Sequence, residues 1–225
     1  MIDTTIVIIR HAEKSDTGLS DLGKQRAALL PDYFQEKLKI EDPDGGIYAC
    51  ATKHERPVLS ITPTAIRYGR QVISGIDGKK LKKEEPEDLV KVIKNNPDKN
   101  YYIVAWTHGE ITTLLTALGV PGAIPQWPDE CYNMVCTVTR PRDFTLPAKL
   151  VTSLQNTLAL EALPDAIPMS KDWEQYEEKV LLSMPKAYLL SESQMKSTIP
   201  LEQSEEPTEK PESEHKLKKS RCFIL

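Results

Sequence analysis

Ile6-Val7-Ile8-Ile9-Arg10-His11-Ala12-Glu13-Lys14 carries four consecutive β-formers that end at once on a guanidinium and an imidazole. Read back to Thr4, the run has strand length, is β-branched throughout and shows no apolar–polar alternation. A strand that is apolar on both sides has both sides covered, the situation of a parallel sheet between helices. Ligands in such sheets collect beyond the carboxyl ends of the strands, and Arg10 and His11 stand at that end. A second run, Tyr101-Tyr102-Ile103-Val104-Ala105-Trp106, finishes the same way on Thr107-His108-Gly109-Glu110. Each strand end offers a histidine with a small residue and a glutamate just behind it. Arg10, His11, Glu13, His108 and Glu110 therefore form one candidate constellation.

Helix signals lie between and after these runs. Ser20 is placed to cap a helix with Asp21 in its first turn, and Leu22, Leu29, Leu30, Tyr33, Phe34 and Leu38 make its apolar stripe. Pro31 should kink or split it. A turn at 42–46 leads to a short strand over 47–51. The polar stretch Thr52 to Arg56 precedes a helix opened by Pro57 and running towards Gly69. Residues 77–86 read as a solvated, lysine-rich loop, and Leu89, Val92 and Ile93 mark another helix. The helix after the second run should begin at Glu110 or Ile111. Strands are expected over 131–139, taking in Cys131 and Cys136, and over 150–154, with a last helix over 173–184. Strands alternating with helices make the class α/β with a mostly parallel sheet.

Bulk properties narrow the function. With 225 residues the chain holds one domain with a real core and some extra length. A net charge of −4 leaves no basic excess for general nucleic-acid binding. No run reaches membrane-spanning length and no secretory signal opens the chain, so synthesis in the cytosol is expected. Cys50, Cys131, Cys136 and Cys222 lack the spacing of a zinc site or a disulfide framework. The expected organisation is a catalytic-type domain over 1–190, a disordered tail over 191–221 that turns from acidic to basic, and a terminal motif at 222–225. Cys222-Phe223-Ile224-Leu225 has the C-a-a-X form behind Lys216, Lys218, Lys219 and Arg221, and its final leucine points to geranylgeranylation of Cys222. One lipid chain and a basic patch add as two weak anchors, so a peripheral location on the cytosolic face of a membrane is expected.

If Arg10, His11, Arg56 and His108 converge, two guanidinium forks and a second imidazole surround a tetrahedral dianion. His11, neutral at one ring nitrogen, can then attack phosphorus and form a phosphohistidine. Phosphoryl transfer needs mainly positioning and charge neutralisation, which this clamp supplies without a metal or other cofactor. A carboxyl must protonate the leaving oxygen and later draw a proton from water. Glu110 is the preferred donor, because it sits just behind His108 at a helix mouth, and Glu13 is the alternative.

These residues resemble a known family. Arg10 to Lys14, followed by Gly18-Leu19-Ser20-Asp21-Leu22-Gly23-Lys24-Gln25-Arg26-Ala27, is similar to the opening of the histidine phosphatase superfamily, the phosphoglycerate mutase-like fold. Ile103 to Gly109 resembles its second histidine block. Trp127-Pro128-Asp129 with Tyr132 resembles a segment found after that block, and Arg56-Pro57 with Thr62-Pro63 and Ala65 resembles the block carrying a second phosphate-binding arginine. The resemblance spans residues 4–140. It implies a three-layer α/β fold, a phosphohistidine nucleophile at His11, phosphate contacts from Arg10, Arg56 and His108, and no metal. Ala12 stands where many members have glycine, and Cys50-Ala51-Thr52 replaces a common Ser-Pro. A glutamate two residues past the second histidine is the proton donor in some phosphatase branches, which favours Glu110. The longer insertions of the glycolytic mutases have no counterpart here.

The expected activity is therefore a metal-independent phosphomonoester hydrolase. Its substrate is a phosphorylated small molecule or a phosphoprotein, and prenylation tethers it to a membrane. The alternative is a binding module that keeps phosphate recognition without turnover. A metal site built on the two histidines is electrostatically awkward beside Arg10.

Overall fold

The computed structural model describes residues 3–163 and 169–176, all within the unit Met1–Ser183. In chain order the elements are β1 Thr4–Arg10, α1 Asp21–Asp32, β2 Gly46–Ala49, α2 Arg56–Arg67, β3 Val72–Ile73, β4 Gly75–Ile76, β5 Lys79–Lys80, α3 Glu87–Asn95, β6 Tyr101–Trp106, α4 His108–Ala117, β7 Met134–Arg140, β8 Lys149–Leu154 and α5 Leu158–Glu161. Six strands form one sheet in the order β3-β2-β6-β1-β7-β8, and β4 and β5 form a small hairpin. The first four are mutually parallel, while β7 runs antiparallel to β1 and to β8. This is the expected α/β architecture, with β1 and β6 at its centre.

The absence of alternation in β1 and β6 follows from their place. Successive side chains point to opposite faces of a strand. Val7, Ile9, Ile103 and Ala105 pack with Leu30, Tyr33, Phe34, Ile61 and Ala65 from the α1 and α2 side. Ile6, Ile8, Tyr102 and Val104, also fully buried, take the face covered by α3 and α4, whose buried residues are Leu89, Ile93, Ile111, Leu114 and Leu115. Each large apolar side chain so withdrawn from water contributes on the order of 2 kcal/mol.

The start of α1 braces the segment after β1. Ser20 Oγ accepts the Gly23 N–H (3.1 Å), and the Ser20 N–H donates to the Glu13 carbonyl (2.9 Å). A Cβ at Gly23 would stand 2.3 Å from that carbonyl oxygen, so only glycine lets the helix lie this close. Pro31 lies inside the α-helix and does not split it at its own position. The helix continues to Asp32 and then widens into a π-helical turn, Tyr33–Lys37, with the Leu38 N–H donating to the Tyr33 carbonyl (3.2 Å).

Three boundaries differ from the sequence expectation. Residues 77–86 are not simply a solvated loop. Leu81, the one large apolar side chain in that charged run, is 1% exposed and tethers it, and the Trp106 Nε1–H donates to the Lys83 carbonyl (3.2 Å). Helix α4 begins at His108 itself. Strand β7 begins only at Met134, because residues 128–131 close a turn in which the Cys131 N–H donates to the Pro128 carbonyl (3.1 Å). Cys131 is a buried thiol of that turn, and Cys50, Cys131 and Cys136 are all buried and outside any disulfide. Residues 171–176 are helical. The rest of the helix expected to residue 184, the domain boundary at 190, the tail and Cys222 lie outside the described residues.

Candidate active site

Strands β1 and β6 are parallel neighbours with Arg10 opposite Trp106. The His11 N–H extends the ladder by donating to the Trp106 carbonyl (3.0 Å). Paired strands run about 5 Å apart, so the residues that follow each strand are forced together. The His11 and His108 rings meet edge to face, with centroids 6.1 Å apart.

His11 is 5% exposed. Its Nδ1 lies 2.8 Å from the Ala12 carbonyl oxygen. A carbonyl only accepts, so Nδ1 carries the hydrogen and Nε2 keeps its lone pair. Burial pulls the His11 pKa down to about 4; the Ala12 hydrogen bond opposes this, and Arg10, His108 and Arg56 add to it. The ring is thus uncharged at neutral pH. The Ala12 N–H donates to Ser60 Oγ (2.7 Å), which donates to the Arg56 carbonyl (2.7 Å). That relay pins the first turn of α2 to the residue beyond His11.

Arg10 is 2% exposed and anchors the site. Nη1 donates to the carbonyls of Asp129 (2.6 Å), Pro128 (3.3 Å) and Cys131 (3.3 Å). Nη2 donates to His108 Nδ1 (3.2 Å), and the Tyr132 ring lies 3.9 Å from Cζ. The buried Nε–H has no acceptor among the described residues. Burial draws the guanidinium pKa below its ordinary value without neutralising it.

His108 is the first residue of α4, behind Thr107 as N-cap. Because a guanidinium cannot accept, Nδ1 holds the lone pair and the proton resides on Nε2, 3.1 Å from Asp129 Oδ1. Burial first, then Arg10, lowers its pKa, and Asp129 works the other way. The positive end of α4 also faces the site, a setting that favours anions.

The other expected residues divide. Arg56 Nε and Nη2 donate to the carbonyls of Gly18 (3.1 Å) and Ser15 (2.7 Å). It therefore ties down the 15–18 loop, and its charge acts on His11. The sequence picture of two open guanidinium forks is corrected here, since each arginine spends donors on backbone carbonyls. Glu110 sits in the first turn of α4, accepts from Thr113 Oγ1 (3.3 Å) and lies 3.9 Å from Lys83 Nζ. Glu13 is buried and accepts from Arg26 Nε at 2.6 Å, with Arg26 Nη1 donating on to Gln155 Oε1 (2.9 Å). Its carboxylate is tied into the structure under the site. Cys222 lies outside the described residues.

Sequence reasoning assigned no role to Asp129, Tyr132 or Ser60. The first two stood in the Trp127–Tyr132 segment as part of a resemblance, and Ser60 carried no signal beyond its helical register. Among the described residues no group of three or more His, Cys, Asp or Glu could hold a metal ion. The arrangement can receive an anion between two imidazoles and a buried guanidinium, beside a ring nitrogen with a free lone pair.

No family model and no curated protein matches the chain. Among solved structures it is similar to the α-ribazole phosphatase from Shigella flexneri, at 11% identity and a TM-score of 0.49, covering 75% of this chain and 100% of that one. It is similar to a mycobacterial glucosyl-3-phosphoglycerate phosphatase, at 14% identity and a TM-score of 0.47, covering 65% and 96%. The protein histidine phosphatase SixA complexed with tungstate is a third, at 13% and 0.46, covering 68% and 97%. At such distances the chemistry has to be read from the atoms of this chain.

Proposed function

We propose that this chain is a phosphomonoester hydrolase working through a phosphohistidine at His11. The observation that carries this reading is the His11 ring itself: Nδ1–H is fastened to the Ala12 carbonyl, so Nε2 is the nucleophilic nitrogen, beside Arg10 and His108. Nε2 attacks phosphorus in line, the P–O bond to the leaving group breaks, and the leaving oxygen takes a proton from the Glu110 carboxyl. The resulting carboxylate then takes a proton from water as that water attacks the phosphohistidine, releasing phosphate and restoring His11. Arg10, Arg56 and His108 supply the positive charge and N–H donors the phosphoryl group needs, and no metal takes part in any step. The substrate is a phosphorylated small molecule or a phosphoprotein. Rapid quenching with a labelled aryl phosphate in the presence of EDTA should trap an acid-labile phosphoenzyme; its absence would refute the covalent route.

The two glutamates separate by leaving-group dependence. For Glu110→Gln, hydrolysis of alkyl phosphates should slow about 100-fold, with nitrophenyl phosphate much less affected. Glu13→Gln should instead cost about 3 kcal/mol of stability through the buried Arg26 pair and leave the leaving-group dependence unchanged. If the two variants exchange these behaviours, the donor is Glu13.

Membrane tethering rests on the Cys222 motif and the basic residues before it. Cys222→Ser should move the protein from the membrane to the soluble fraction of a eukaryotic cell while its phosphatase activity persists. Unaltered partitioning would remove the lipid anchor from the proposal.

A further inference from the structure

We propose that Asp129 is the positioning residue of His108, holding the far side of its ring so that the near side can carry a proton to a bound phosphoryl group. This rests on the phosphatase reading for what the pair does to an anion, while the contact itself stands on the geometry.

The two nitrogens of His108 face opposite partners. Nδ1 meets Arg10 Nη2 (3.2 Å) and Nε2 meets Asp129 Oδ1 (3.1 Å). Arginine has no acceptor, so the proton of the neutral ring is on the Asp129 side. The main chain of the same aspartate accepts from Arg10 Nη1 at 2.6 Å. Asp129 thus fastens both members of the pair, its carbonyl holding the guanidinium and its carboxylate the imidazole. The turn that carries it is itself braced. Trp127 Nε1–H donates to the Cys131 carbonyl (2.8 Å), the Cys131 N–H to the Pro128 carbonyl, and the neighbouring Tyr132 ring lies over Arg10.

An imidazole held by a carboxylate at one nitrogen is oriented, and it tolerates a second proton at the other. When a phosphoryl dianion settles beside Arg10, Nη2–H turns from His108 to the anion. Nδ1 then takes a proton from solvent and donates it in a hydrogen bond to a phosphoryl oxygen. The imidazolium lies between two anions, the phosphoryl group and Asp129. The charges that face it are Arg10 and Lys14 from the β1 side, which oppose the second proton, and Asp129, which favours it. His11 lies edge-on, and Glu110 is the carboxylate on its own helix.

The test is histidine 15N NMR on the full chain over pH, with and without inorganic phosphate, for the wild type, Asp129→Asn and Asp129→Glu. In the wild type His108 should show the Nε2–H tautomer, and phosphate should raise its pKa. Asp129→Asn should lower the phosphate-bound pKa by about one unit and kcat on an aryl phosphate about tenfold, with KM within about threefold. Asp129→Glu should recover part of both. The carboxylate is 80% exposed, so the difference should shrink in about 1 M salt. Wild-type titration in Asp129→Asn, or an Nδ1–H tautomer in the wild type, overturns the assignment. The expected tautomer with an Asp129-dependent titration in the ligand-free protein, but no response to phosphate, supports the hold on His108 and overturns the phosphatase reading instead.

Discussion

His11→Ala should leave a folded protein that turns over aryl phosphates at least about 1,000-fold more slowly, since removing a covalent nucleophile leaves only binding and charge neutralisation. The fold survives because the structural bond made by residue 11 is its main-chain N–H on the Trp106 carbonyl, which alanine keeps. No phosphoenzyme should be trapped from this variant, while phosphate binding through Arg10 persists. Hydrolysis at the wild-type rate would remove His11 from the chemistry altogether.

The same substitution should change how stability depends on pH. The His11 pKa is about 4 in the folded chain, below its ordinary value near 6.5. The unfolded chain therefore binds this proton first as pH falls. The stability associated with the neutral ring is complete above about pH 6.5 and is lost progressively down to about pH 4. His11→Ala lacks that term, so its denaturation midpoint should fall less than the wild type's between pH 7 and pH 4. Parallel curves would mean that the ring is not held neutral. The depression also means that the proposed nucleophile needs no deprotonation at physiological pH, and an acid limb in the rate near pH 6 would have to come from another group.

The parts of this molecule that were legible in the chain are those set by local chemistry. Ile6–Ile9 read as a doubly covered strand and Tyr101–Trp106 as a second apolar run with the same ending, and both are buried in the sheet; Ser20 read as a cap, and its hydroxyl meets the Gly23 N–H. The meeting of His11 and His108 could be guessed because parallel strands deliver their carboxyl ends to one edge. The partners of those side chains could not be read. Nothing local says that Glu13, which follows His11 by two residues as Glu110 follows His108, pairs with Arg26, or that Arg26 donates on to Gln155 from a distant segment. Nor does a Pro-Asp dipeptide in a loop announce that its carbonyls cross the molecule to Arg10. Leu81 was hidden for the opposite reason, a single apolar residue in a charged run having no periodicity to reveal its burial. Sequence patterns report the face an element buries, whereas second partners depend on which loops a fold brings to one place.

Arg10→Lys should be the most damaging of the conservative changes, costing about 100- to 1,000-fold in kcat/KM and about 2–4 kcal/mol of stability. Charge is retained and geometry is lost. The guanidinium reaches three carbonyls through Nη1 and His108 through Nη2 while lying against the Tyr132 ring. An ammonium is a compact point donor that cannot span the turn and the histidine together. The Pro128, Asp129 and Cys131 carbonyls would lose their shared donor, and His108 would lose the contact that sets its tautomer. Arg56→Lys offers the contrast. Its contacts are with the Gly18 and Ser15 carbonyls at the rim, so the stability cost should be under about 1 kcal/mol. Denaturant titration of both variants measures this difference, and equal losses would sink the claim that Arg10 is the keystone. Ligand linkage supplies the sharper reading. A phosphoryl oxygen beside the Nε–H of Arg10, which has no acceptor among the described residues, would give that donor its acceptor, so phosphate at about 100 times its Kd should stabilise the wild type by about 2.7 kcal/mol. At that same phosphate concentration, Arg10→Lys should gain far less, because the lost fork weakens the affinity from which the stabilisation derives.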